Sequence, residues 1–368
     1  PGNMPERPGM VMRMKKTDRY SAHEEKRAPF GRILLCSLIA CMLLLAIPVG
    51  AAEAVSFPDT DLEAAVRDAL DKPRGDITTD DMAGLGALDA EDKGISDLSG
   101  LEHAVNLRGL DLDSNEISDL GPLAGLTDLQ DLDLDSNEIS DLSPLVNLTD
   151  LRNLELDSNE ISDLGPLAGL KNLQTLDLDS NEISDLSPLV NLTSLWALDL
   201  DSNKISDIGP LANLTNLRDL DLESNEISNI SPLAGLKNLR ELDIDGNQIS
   251  DISPLANLTN LRELDISSNQ VSDLTPLANL TNLRDLDLDS NEVSDLGPLA
   301  GLKNLKKIDL DSNEIRDIGP LVRSELGTGA TVELRHNFLD LTPGSAAMKD
   351  IEALEKRGVD VSYIPQRG

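Results

Sequence analysis

Three kinds of side chain are almost missing from this chain, and each shortage removes a class of function. Among 368 residues there are one Trp, two Tyr and three Phe. Trp196 stands alone, and Phe57, Phe338 and Tyr363 lie outside the repetitive part, so a large core here must be built without rings. The two cysteines, Cys36 and Cys41, fall in one apolar run, which leaves residues 55–368 with no disulfide framework and no thiol nucleophile. The three histidines, His23, His103 and His336, are far apart in sequence and offer neither a general base beside a nucleophile nor a His-rich metal site. Positive charge is also scarce. Lys and Arg number 31 against 67 Asp and Glu, for a net charge of −36. Residues 1–54 are net +3, so residues 55–368 carry −39. That charge excludes bare nucleic acid or an anionic membrane as a natural partner and favours basic partners or cations.

What the chain does have is repetition. A unit of 22 residues recurs ten times without a gap from Leu107 to Leu326, in the order L-x-x-L-x-L-x-x-N-x-I. A unit this short cannot bury an apolar face alone, so the copies must stack into a solenoid. Counting from the first leucine, positions 4 and 6 alternate with polar positions 3, 5 and 7, the period of a short strand with its leucines inward. Ten such strands at about 4.8 Å would make a parallel sheet of roughly 45 Å. Position 9 is Asn in every copy: Asn115, Asn137, Asn159, Asn181, Asn203, Asn225, Asn247, Asn269, Asn291 and Asn313. A buried amide can both donate and accept, so these residues are expected to form a ladder that satisfies the backbone of an inward turn. Position 16 is Pro in every copy, preceded by Gly, Ser or Thr. That pattern predicts one short 3₁₀ turn per unit on the convex side, with the Ser or Thr as its cap.

The flanks read as caps. Leu85, Leu88, Ile95, Leu98 and Leu101 keep the register one unit upstream, with Ala90 and Lys93 where a leucine and the Asn would stand. Before them, Leu62, Val66 and Leu70 recur at helical spacing, and Thr78-Thr79-Asp80-Asp81 can start a second short helix. After the array, Val332, Leu334 and Asn337 form a partial repeat, Ser345 can cap a helix carrying Met348, Ile351 and Leu354, and Gly358 can stop it. Val359, Val361 and Tyr363 then alternate as an edge strand. The expected divisions are a basic segment at 1–32, a leader at 33–54, a helical cap with a degenerate repeat at 55–106, ten repeats at 107–326, and a partial repeat with its cap at 327–368. The leader rests on the apolar run Ile33 to Val49, preceded by basic residues and followed by Ala52-Glu53-Ala54, the order of a secretory signal peptide. An uncleaved anchor through residues 33–49 is the alternative, and Leu38-Ile39-Ala40-Cys41 also resembles a lipobox.

Asp at position 13, Pro-Leu at 16 and 17, and the cap residues Phe57-Pro58-Asp59, Leu62, Val66, Ile77-Thr78, Gly94-Ile95 and Gly100-Leu101-Glu102 leading into Asn106-Leu107 together resemble the internalin family of bacterial surface proteins. The resemblance covers nearly all of residues 55–326. It implies a leucine-rich-repeat horseshoe, a secreted or surface location, and a concave sheet that grips a partner protein. Residues 327–368 contain no L-P-x-T-G wall-sorting motif.

The candidate site follows from the outward strand positions. Position 5 is acidic in all ten copies and position 7 in nine, broken only by Ser267. Stacked in parallel, these carboxylates form two columns on the concave face, beside a partial basic column at position 2 (Arg108, Arg152, Arg218, Arg240, Arg262, Arg284 and Lys306). The concave-face candidates are Asp131, Asp133, Asp135, Asn153, Glu155, Asp157, Asp177, Asp179, Asp199, Asp201, Asp219, Asp221 and Glu223. Trp196 joins them as an expected exposed anchor, where Asn153, Thr175 and Ala197 interrupt the charge pattern. Asp133-Leu134-Asp135-Ser136-Asn137 imitates the start of a calcium loop, but Glu138 replaces the turn glycine and Pro144 the bidentate Glu. No cofactor is therefore expected beyond weak divalent-cation binding across adjacent columns. Catalysis finds no footing, because repeated acids are the opposite of one tuned acid and one tuned base. The Asn-Leu-Thr triplets at Asn147, Asn191, Asn213, Asn257 and Asn279 read as turn chemistry. The leading expectation is an exported, monomeric, non-enzymatic protein that binds a basic protein or a glycan on its concave face. A cation-gathering surface scaffold is the second reading, and an intracellular repeat protein resembling phosphatase regulators the third.

Overall fold

The computed structural model describes residues 52–367; the apolar run at 33–49 lies outside them. Residues from Ala54 onward form one unit built on a single sheet of 13 strands, all parallel and in sequence order from β1 (Ala87–Asp89) to β13 (Asp360–Ser362). The ten regular strands run from β2 (Gly109–Asp111) to β11 (Lys307–Asp309), three residues each at positions 3 to 5 of the unit. Their register advances by one repeat per strand, as in Leu132 opposite Leu154 and Leu154 opposite Leu176. Among the described residues no helix is long and apolar enough to cross a membrane.

The ladder of apolar positions is what compels this stacking. Leu at positions 1 and 17, Leu or Ile at 4 and 6, Leu at 20 in nine copies, and Ile, Val or Leu at 11 and 14 are almost wholly buried in copy after copy. Truncating one such leucine to Ala typically costs 2–5 kcal/mol. The asparagine ladder forms as expected. Asn159 shows the pattern: Nδ2 donates to the carbonyls of Leu134 (3.0 Å), Leu156 (3.1 Å) and Asp157 (3.0 Å), while Oδ1 accepts from Ile139 N–H at 3.0 Å. Asn337 extends the ladder into the partial repeat, accepting from Ile315 N–H at 3.0 Å. The turn before each ladder Asn needs a left-handed residue. Position 8 supplies it with φ between 51° and 58° at Ser114, Ser136, Ser158, Ser180, Ser202 and Ser224, and with Gly246 at 64°.

The convex side carries the expected 3₁₀ turns, for example Ser143–Asn147 and Ser187–Asn191, each with Pro in its first positions. Their capping differs from expectation. The Ser or Thr before the Pro makes no capping bond; Asp at position 13 does this instead. Asp141 accepts from Ser143 N–H at 2.8 Å and from the Ser143 hydroxyl at 2.9 Å, and Asp163 accepts from Gly165 N–H at 2.8 Å. A carboxylate two residues upstream reaches the free N–H of the turn, whereas the hydroxyl is too close in sequence and becomes a donor.

At the N-terminal end, α1 (Thr60–Ala69) and α2 (Thr79–Ala83) cover the core. Asp59 fastens α1 to it: Oδ1 accepts from Asp61 and Leu62 N–H at 3.0 Å each, and Oδ2 from Ser96 N–H at 2.9 Å in the degenerate repeat. Burial opposes ionisation of Asp59, but the backbone donors outweigh it and hold the carboxyl below its ordinary range. Gly100, at φ 108°, lies against the Phe57 ring, which a Cβ there would approach to 2.6 Å. At the other end β12 (Thr331–Glu333) pairs with β11, and a helix at Ala346–Glu355 replaces the 3₁₀ turn before β13. Ser345 caps that helix by accepting from Met348 N–H at 3.2 Å, as its place in the sequence suggested.

Candidate functional site

The two acidic columns assemble as the repeat dictates, but they do not stand freely in solvent. Each strand ends at position 5, and the N–H of position 7 then turns back onto the position-5 carboxylate: Asp135 N–H donates to Asp133 at 3.2 Å, Asp201 to Asp199 at 3.1 Å, and Glu223 to Asp221 at 3.0 Å. This bond draws the carboxylates against the sheet and against one another. Asp177 and Asp221 are only 6% exposed and Asp243 only 2%. Each position-5 Asp thus satisfies a backbone donor and is crowded by its equivalents one strand away.

Crowding shifts their titration. Burial, then the charge of Glu155, pushes Asp133 up to about 7, and burial with Asp133 and Asp177 nearby pushes Asp135 up to about 9. Burial followed by the charge of Asp265 takes Asp243 to about 9, and Asp199 and Asp221 rise well above the usual range for the same two reasons. Asp179 and Glu223 rise to about 7, and Asp201 and Asp219 rise as well, burial leading in each. Three of the predicted residues, Asp133, Asp135 and Glu155, bring carboxylate oxygens within 4.8 Å of one another, and so do Asp221 and Glu223 with Asp243. Such triads have the donor set that hard divalent cations take. Asp157 N–H donates to Asp135 at 2.8 Å, linking neighbouring members of the position-7 column between repeats.

Position 3 behaves differently. Thr175 donates its hydroxyl to Asn153 at 2.8 Å, and Asn153 in turn donates to Asp131, while Ala197 is 2% exposed. The middle of the face is therefore a neutral strip flanked by acid. Trp196 departs from expectation: it is half-buried rather than exposed, and lies just before the strand Ala197–Asp199 at the edge where strands begin. There it lines one end of a groove of about 620 Å³ together with a column of Arg218, Arg240, Arg262 and Arg284 and a column of Asn216, Asn238, Asn260, Asn282 and Asn304. The asparagines are residues that reading the sequence for strand positions passes over. They close five consecutive units at position 22, and each donates Nδ2 to a carbonyl one repeat back, as Asn216 does to Thr193 at 2.8 Å and Asn282 to Thr259 at 2.7 Å. Their recurrence just before the first leucine was the available signal.

Residues 106–266 match the family described as Leucine-rich repeat region, and residues 260–280 and 281–323 match shorter leucine-rich-repeat patterns. An internalin (inlF) from Listeria monocytogenes is 37% identical, with 84% of this chain and 91% of that one covered and a TM-score of 0.78. A leucine-rich-repeat protein from Leptospira interrogans (23% identity, 73% and 82% covered, TM-score 0.55) shares the fold. So does the ectodomain of a plant membrane receptor kinase from Arabidopsis thaliana, solved with CASPARIAN STRIP INTEGRITY FACTOR 2 (21% identity, 73% and 36% covered, TM-score 0.56). No curated protein sequence matches the chain.

Proposed function

Because the chain belongs to the internalin family of leucine-rich-repeat proteins, we propose that it is an exported, non-catalytic binding protein whose acidic concave face receives a basic surface of a partner protein. The observation that carries this reading is the state of the columns. Carboxylates held to about 7 or 9 by burial and mutual repulsion, as at Asp133, Asp135 and Asp243, stand in an arrangement that gains from any positive charge brought between them. Lys and Arg side chains of a partner would supply it, and a rigid sheet presents the acids with little ordering left to do. The receptor ectodomain solved with a bound factor uses the same fold for a protein ligand. Export rests on residues 33–54, and N-terminal sequencing of secreted protein should find a chain beginning near Val55.

The test is affinity capture on the immobilised protein at about 0.15 M salt, where exposed charges more than about 8 Å apart are screened. Retained proteins should carry basic patches, elute with rising salt, and be lost from the variant Asp177→Asn, Asp199→Asn, Asp221→Asn. Retention unaffected by that variant places the binding elsewhere. If nothing is retained while millimolar calcium raises the melting temperature at matched ionic strength, the face gathers cations instead.

A further inference from the structure

The rim groove is a separate surface with the opposite charge. Arg218, Arg240, Arg262 and Arg284 stand one per repeat on neighbouring strands, and all four are exposed. Among the described residues none of the four has an ion-pair partner within 4.0 Å. Their nearest acids are Asp219, Glu241 and Glu263, and the arginine charges act on those carboxyls without overcoming the burial that raises them. In a chain of net charge −36, an uninterrupted run of four unpaired guanidiniums is the feature least explained by holding the fold.

The neighbouring column of asparagines is equally regular. From Asn216 to Asn304 each amide nitrogen is spent on a carbonyl of the preceding repeat, at 2.7 to 2.8 Å. That bond fixes the side chain and turns its Oδ1 into a pre-ordered acceptor. Donors in one column and acceptors in the other thus repeat at strand spacing, about 4.8 Å. At the end of the run, in the place of the next arginine, lies the half-buried indole of Trp196 beside Ser194.

We propose that this groove binds a linear anionic glycan. Its carboxylate or sulfate groups would be held by the guanidiniums, which match planar oxyanions through paired N–H donors. Its hydroxyls would donate to the asparagine Oδ1 atoms, and the apolar face of one sugar ring would lie on Trp196. An acidic peptide satisfies the arginines but brings no row of hydroxyls for the amide oxygens. Duplex nucleic acid would have to approach a body of net charge −36 with its whole length.

Trp196 is the only tryptophan in the chain, so its fluorescence reports on this groove alone. The full-length protein would be titrated with a hexamer of galacturonic acid, a sulfated heparin hexasaccharide, a neutral galactose hexamer and a hexaglutamate peptide. The expected result is a saturable change in emission with the galacturonate, the heparin fragment, or both, and none with the neutral sugar. Which of the two responds decides between carboxylate and sulfate. Arg240→Ala with Arg262→Ala should weaken binding by about tenfold or more, the equivalent of one charge-assisted hydrogen bond, with an unchanged melting temperature. Three outcomes overturn the proposal: no response to any anionic sugar, equal binding of hexaglutamate, or sugar binding that the double arginine variant leaves intact.

Discussion

The asparagine column and the position-5 carboxylate column run side by side through the same ten repeats, four residues apart in every unit, and they respond oppositely to being repeated. Each Asn meets the backbone of its own turn and of the turn before it, so adding a copy adds satisfied hydrogen bonds. Each Asp of the carboxylate column also meets a backbone N–H, but adding a copy adds another like charge one strand away. Repetition amplifies whichever sign the pairwise interaction has. A neutral group with both a donor and an acceptor profits from its own image; an ion does not.

Breaking the first column should have the largest effect. Asn181→Ala leaves the carbonyls of Leu156, Leu178 and Asp179 and the N–H of Ile161 without this partner in a buried turn. At about 1–3 kcal/mol for each group left unsatisfied, some of them recovered by water, a loss of about 3–5 kcal/mol is expected. The denaturant midpoint of unfolding measures it, and a shift below about 1 kcal/mol would show the ladder to be dispensable.

Titrating the second column comes next. The folded-state pKa values of Asp135 and Asp243, about 9, and of Asp287, about 8, lie above the ordinary carboxylate range of the unfolded chain. The folded state therefore binds more protons than the unfolded one between roughly pH 4 and 9, and stability falls as pH rises through that window. The melting temperature should be higher at pH 5 than at pH 8, contrary to ordinary acid denaturation. Asp135→Asn with Asp243→Asn should flatten the profile, whereas Asn181→Ala should lower it without changing its slope. A profile that rises from pH 5 to pH 8 would refute the raised titration of these buried acids.

The smallest effect sharpens the same contrast by removing charge and keeping shape. Asp177→Asn, Asp199→Asn and Asp221→Asn together should stabilise the protein by about 1 kcal/mol or more in low salt at alkaline pH, where the crowded acids ionise, since repulsion between neighbours about 5 Å apart is of that order in water and larger where solvent is restricted. The gain should shrink as salt is raised, because the Debye length falls to about 10 Å at 0.1 M. A gain independent of salt would point to packing instead.

Much of this architecture could be read before any coordinate. A period of 22 residues places equivalent side chains on neighbouring strands, so the leucine ladders, the asparagine ladder, the acidic columns and the convex 3₁₀ turns follow from stacking alone. Helical spacing at Leu62 and Val66, and Ser345 before Met348, likewise marked the two caps, since local capping and amphipathicity are written in contiguous residues. What stayed hidden depends on how far a side chain sinks and what it meets across the fold. Asp59 binding Ser96 spans 37 residues. The position-13 Asp displaced the expected Ser or Thr cap because only the turn's geometry decides which oxygen reaches the free N–H. Asp243 at 2% exposure and Asp133, half-buried, occupy the same place in the unit, so their difference comes from their neighbours. The groove belongs to this second class: Arg218 and Asn216 sit two residues apart in one unit, but a run of guanidiniums beside a run of amide oxygens with an indole at its end exists only once the units are stacked.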